Sequence, residues 1–70
     1  MRYLVVIEKA KSNYAAYSPD LPGCVATGDT ITEVERNMRD AVDFHLEGMR
    51  LHGDPIPEPS SRSFYVEIAA

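Results

Sequence analysis

The 70-residue sequence has no tryptophan, a single cysteine and few basic residues. It also has no apolar run near the ~20 residues needed to cross a bilayer. One thiol, Cys24, excludes a disulfide within the chain and removes the multi-cysteine ligand set of most closed zinc sites. Arg2, Lys9, Lys11, Arg36, Arg39, Arg50 and Arg62 are scattered among eleven acids, for a net charge of −4. Binding a nucleic-acid backbone needs clustered Lys and Arg to displace counterions, so direct nucleic-acid binding is not expected. The N-terminus lacks the basic, apolar and small-residue order of a secretory signal. With the lone free thiol, this reads as a cytoplasmic protein without membrane attachment.

Seventy residues allow one domain, residues 1–70, with a marginal core. Small domains usually add disulfides, a metal or a partner subunit. Neither of the first two is expected here, so a homo-oligomer, dimer or higher, is the predicted remedy. No cofactor is expected. The acidic balance suits a basic protein partner.

Residues 2–9, Arg2-Tyr3-Leu4-Val5-Val6-Ile7-Glu8-Lys9, form a β-branched and aromatic run that predicts a strand covered on both faces. Lys11-Ser12-Asn13 is a polar break of hairpin length, and Tyr14 to Ser18 reads as a second strand. Pro19 and Pro22 cannot donate ladder hydrogen bonds, so residues 19–23 are expected to leave the sheet as a turn. A short third strand follows at Cys24-Val25-Ala26-Thr27. Thr30-Ile31-Thr32-Glu33 matches a capping box. Ile31, Val34, Met38, Ala41, Val42, Leu46 and Met49 then recur at the spacing of one helix face. Arg36–Asp40, Glu35–Arg39 and Arg39–Asp43 are spaced as ion pairs on its wet side. The helix should stop near His52, with Gly53 just past its end and Pro55 beyond. Pro55, Pro57 and Pro59 stiffen an extended linker, and Ser63 to Ile68 alternates as a last strand.

The predicted class is therefore α+β, with order β-β-β-α-β and one long helix on one face of a four-stranded mixed sheet. A right-handed crossover returns the last strand parallel to the third, beside strand one, in spatial order 3-2-1-4.

Tyr17-Ser18-Pro19-Asp20-Leu21-Pro22-Gly23-Cys24, then Gly28-Asp29-Thr30 and an acidic amphipathic helix, resembles the N-terminal domain of HicB antitoxins. Gly53-Asp54-Pro55-Ile56-Pro57 resembles the same family, so the likeness runs from strand one to strand four. It implies a partial RNase H-like fold and a role as the antitoxin of a type II toxin-antitoxin system. Such a protein covers the active site of HicA, a small basic toxin that cleaves mRNA with a catalytic histidine. Longer HicB proteins add a C-terminal DNA-binding domain. This sequence ends at Ala70, so operator binding is not expected of it. The alternative is an orphan HicB-like homo-oligomeric adaptor for another protein partner.

A remnant RNase H-like nuclease is the third reading. Two-metal cleavage needs carboxylates converging on ions ~3.5–4 Å apart. Strand one is apolar through its centre, with Glu8 only at its end, so no catalytic residue is assigned and the chain is not expected to be an enzyme. His45 and His52 lie seven apart without a third ligand, which argues against a metal site. No basic residue lies near Cys24 to activate it, so a strand role is expected. Partner contacts are assigned to exposed positions: Tyr17, Asp20, Leu21 and Asp29, with Glu33 and Glu35 as an acidic helix edge. The Asp20–Gly23 turn and Asp29 also have a local role open to them, since Pro-Asp-Leu-Pro-Gly is a stable turn in itself and Asp29 sits before the helix cap.

Overall fold

The computed structural model describes residues 1–69. Its order is β1 (Val6–Lys9), β2 (Tyr14–Ser18), β3 (Leu21–Gly28) and α1 (Ile31–Leu51). The strands make an antiparallel meander in the order β1-β2-β3. The β1–β2 turn closes with Ala10 N–H donating to the Asn13 carbonyl at 2.8 Å.

The helix forms where its local code places it. Thr30 Oγ1 accepts from Glu33 N–H, and Glu33 Oε1 accepts from Asp29 N–H, both at 3.0 Å. The two bonds satisfy donors that the helix itself leaves free. At the far end Gly53 has φ +71°. Gly53 N–H donates to the Arg50 carbonyl and Asp54 N–H to the Met49 carbonyl, the paired bonds of a Schellman stop. Val34, Met38 and Leu46 are buried against Ala16, Leu21 and Cys24. Ala41, Val42 and Met49 pack partly buried around them, as the apolar spacing requires. Ile31 stays exposed at the helix start.

Four expectations are corrected. First, β1 is paired only from Val6, because its register sets Val6 opposite Tyr17 and β2 ends one residue later at Ser18. Second, only Pro19 and Asp20 turn; β3 already starts at Leu21. The register jumps from Tyr17↔Val25 to Ser18↔Leu21, so Pro22, Gly23 and Cys24 bulge from the ladder. Gly23, at φ +83°, supplies the backbone conformation the bulge needs. Third, the sheet has three strands among the described residues, and residues 63–68 pair with none of them. Residues 62–69 are exposed throughout, so the expected fourth position beside β1 is not filled by this segment. Fourth, the ion pair found on the helix is Arg50–Glu47 at 3.8 Å, not one of the three anticipated. Exposed pairs gain too little to hold long side chains together against water.

Candidate functional site

The helix covers one face of the sheet. Ala16, Ser18, Cys24 and Leu21 point toward it and are buried. The alternation of the strands sends their neighbours to the opposite, open face. Register aligns Val6, Tyr17 and Val25 in one row across all three strands, and Glu8, Ala15 and Thr27 in the next. Tyr17 is 40% exposed and Val25 64% exposed, so this row is an apolar surface facing water. Tyr17 therefore lies at the centre of a patch. Val25 and Val6 were not assigned to a surface from sequence; the in-out alternation of Cys24-Val25-Ala26-Thr27 is the signal that finds Val25 once the register is known.

The other assigned residues do not converge on it. Asp20 sits at the β2–β3 turn, whereas Asp29, Glu33 and Glu35 lie beyond the far end of β3. Eight residues of β3 separate the two groups, on the order of 24 Å at extended spacing. Leu21, expected at the surface, is 1% exposed and belongs to the core. Its apolar side chain follows the bulge inward, where helix residues bury it. Glu33 spends one carboxylate oxygen on the Asp29 backbone. Glu35 remains free and exposed, on the helix side nearest β1.

Asp20 has a structural task. Its Oδ2 accepts the backbone N–H of Ser60 at 3.0 Å and of Ser61 at 3.1 Å. Its Oδ1 accepts their hydroxyls at 2.9 and 3.0 Å. The carboxylate thus ties the segment after the helix to the β2–β3 turn. The backbone N–H groups of Ser60 and Ser61 hold its pKa down, from 3.8 to about 2. A depressed folded-state pKa means the clamp contributes fully above the unfolded value and is lost as pH falls through the folded one. The expected result is an acid-sensitive component of thermal stability between pH 3.8 and about 2 that Asp20→Asn lacks. Melting curves of both proteins across that range check it.

Little else in the structure supports chemistry. Burial pushes the Cys24 thiol pKa up, away from the thiolate a nucleophile needs. His52 places Nδ1 2.8 Å from the Gly48 carbonyl, at the last helical turn. Among the described residues no three His, Cys, Asp or Glu side chains gather as a metal site. Nor is any helix there long and apolar enough to cross a membrane. Phe44 and Leu51, seven apart on the helix, are a second pair of exposed apolar side chains that helix periodicity alone had not singled out.

Comparison with known proteins places this arrangement. The family model described as "HicB_like antitoxin of bacterial toxin-antitoxin system" matches residues 3–68. An uncharacterized protein from the rep-hol intergenic region of Haemophilus phage HP1 is 36% identical over 66 residues, 94% of this chain. The chain spans half the length of that phage relative. A UPF0150 protein of Thermoplasma acidophilum is 31% identical over 67 residues, covering 94% of this chain and 97% of its own. A chain from the solved structure of a HicA3 and HicB3 toxin-antitoxin complex superposes with a TM-score of 0.74 at 30% identity. That match covers 86% of this chain and 70% of the other.

Proposed function

The chain belongs to the HicB-like antitoxin family, and from that premise we propose that it binds and blocks a small basic HicA-type mRNA interferase toxin. It does so with surfaces and without chemistry of its own. The observation that carries this reading is the apolar row Val6-Tyr17-Val25 on the open face of the sheet, with Tyr17 and Val25 exposed and Val6 half-buried. An aromatic side chain with a polar tip, flanked by aliphatic area, is the usual anchor of a protein interface. The excess of acids over bases supplies the sign of charge that attracts a basic toxin. The likeness to a chain solved in a toxin-antitoxin complex supports the same partner.

Within this reading the assigned residues divide by task. Tyr17 contacts the toxin directly, while Asp29 and Glu35 supply negative charge at the start of the helix. Asp20, Leu21 and Glu33 act by holding the bulged turn and the helix cap in place. Blocking requires no DNA contact from these residues, none of which is basic.

Co-expression tests it. A small basic toxin encoded beside this gene should arrest growth when induced alone. Co-induction of this chain should restore growth, and a Tyr17→Ala, Val25→Asp variant should restore it poorly while still accumulating as folded protein. Failure of the unaltered chain to rescue growth would show the reading to be wrong.

A further inference from the structure

The structure leaves a strand without a sheet and a sheet edge without a strand. Phe64 is 84% exposed and Tyr65 100% exposed, and Val66 and Ile68 are exposed beside them. Isolated exposed apolar residues are ordinary, but four in five consecutive positions, three of them (Phe64, Val66 and Ile68) on one side of an extended chain, are not. The segment also stands off the body. The radius of gyration is 13.8 Å, against about 11 Å for a compact chain of this length. The longest dimension is 49 Å, whereas a 21-residue helix accounts for about 32 Å.

The unfilled edge belongs to β1. Of the two sheet edges, β3 is guarded: Pro22 has no N–H to offer, and Asn37 Nδ2 donates to the Thr27 carbonyl at 2.8 Å. β1 carries no proline and has β2 on one side only. Beside it, between β1 and α1, runs a groove of about 420 Å³ whose apolar wall is Tyr3, Val5, Ile7, Met38 and Val42. A strand laid along β1 would set alternate side chains into this groove and the others over the open face.

We infer that residues 63–68 of one copy pair along the β1 edge of a second copy, seating Phe64, Val66 and Ile68 in its groove between β1 and α1. The fourth strand of the sheet is then supplied in trans. A second copy is the occupant because this chain carries both halves of the match and holds them apart in one molecule. Before the segment leaves, it is anchored twice: Tyr3 donates its hydroxyl to the Pro57 carbonyl, and Asp20 grips Ser60 and Ser61. Those anchors fix the point of departure: Ser61, Arg62 and Ser63 still run beside Arg2 to Val5, and residues 64–69 beyond them are exposed throughout. Exchange of identical segments is reciprocal and closes as a two-fold dimer. Each copy gains ladder hydrogen bonds and cover for its groove together. Tyr65, on the other side of the added strand, extends the apolar open face that Val6 and Tyr17 begin.

Toxin takes no part in this association, so the purified chain alone tests it. Sedimentation equilibrium at micromolar concentration should show a dimer. Val66→Pro removes a ladder donor in a segment that is exposed in the monomer. It should weaken association ~100-fold while leaving the helical circular dichroism unchanged. In a mixed sample of ¹³C-labelled and unlabelled copies, isotope-filtered spectra should show contacts between Val5 or Ile7 of one copy and Val66 or Ile68 of the other. A monomeric wild-type chain would overturn the inference. So would a dimer indifferent to Val66→Pro, or contacts to residues 64–68 arising only within one copy.

Discussion

Gly28→Ala is expected to remove a large part of the protein's stability. A Cβ at position 28 would stand 2.6 Å from the Val34 nitrogen, 2.9 Å from its Cα and 3.0 Å from the Glu33 carbonyl carbon. All three are backbone atoms in the first turn of α1, so no side chain can swing aside. Gly28 is the place where the end of β3 passes against the capped helix start. Relieving the clash would push helix and sheet apart at the site where Val34 is fully buried. Overpacking of this kind typically costs ~1–3 kcal/mol, from a total of roughly 3.5–10 kcal/mol for a domain of this size. Each kcal/mol moves Tm by about 4–8 °C, so a fall on the order of 10–20 °C should follow. Gly48→Ala is the control: nothing lies within 4 Å of the added carbon, and the position is inside the helix. It should be neutral or stabilising by up to ~1 kcal/mol. Equal melting temperatures for the Gly28 variant and wild type would contradict the packing described.

Leu21→Ala should cost about 2–5 kcal/mol, the range for emptying a buried leucine site. Leu21 sits in a stretch that composition marks as a turn, between Asp20 and Pro22, where surface leucines are common and cheap to replace. Here it joins Ala16, Cys24, Val34, Met38 and Leu46 in the core. The loss should appear in chemical denaturation as a lower midpoint with little change in slope. A cost below ~1 kcal/mol would mean that Leu21 is a surface residue after all.

These two positions show where the fold could be read from the chain and where it could not. The helix was legible to the residue at both ends, because Thr30, Glu33 and Gly53 act on backbone groups within a few residues of themselves. Strand boundaries were less so, since pairing is set by a partner strand. The apolar run of residues 2–9 is long enough for a full strand, but β2 is only five residues long, so residues 3–5 have no antiparallel neighbour. The motif Asp20-Leu21-Pro22-Gly23-Cys24 reads locally as a turn with two prolines. Only the register reveals a bulge that turns Leu21 and Cys24 inward and leaves Pro22 and Gly23 outside.

The candidate binding face divides along the same line. Tyr17 was identified from residue type and lies on the open face, but its neighbours Val6 and Val25 come together only through pairing across three strands. Asp20 and Glu33 are acids whose sequence context suggested contact with a partner. Their oxygens instead accept backbone hydrogen bonds within the chain, from residues 40 positions away for Asp20 and four away for Glu33. Nothing in a local pattern announces the Asp20 clamp, because Ser60 and Ser61 follow a proline-stiffened linker of unspecified direction. The missing fourth strand has a similar origin. The pattern of residues 63–68 predicts a strand, but a local pattern names no partner, and the segment pairs with none of β1, β2 or β3.

We propose that this chain neutralises a toxin by covering it with the open face of the sheet. The most direct measurement is RNA cleavage by the purified HicA-type toxin titrated with this chain, alongside calorimetry of the same pair. Wild type should abolish cleavage at stoichiometric ratio, and Tyr17→Ala with Val25→Asp should weaken binding ~30-fold or more, as loss of an interface anchor does. Cleavage that persists at saturating wild-type chain, or binding untouched by the double substitution, would contradict the account.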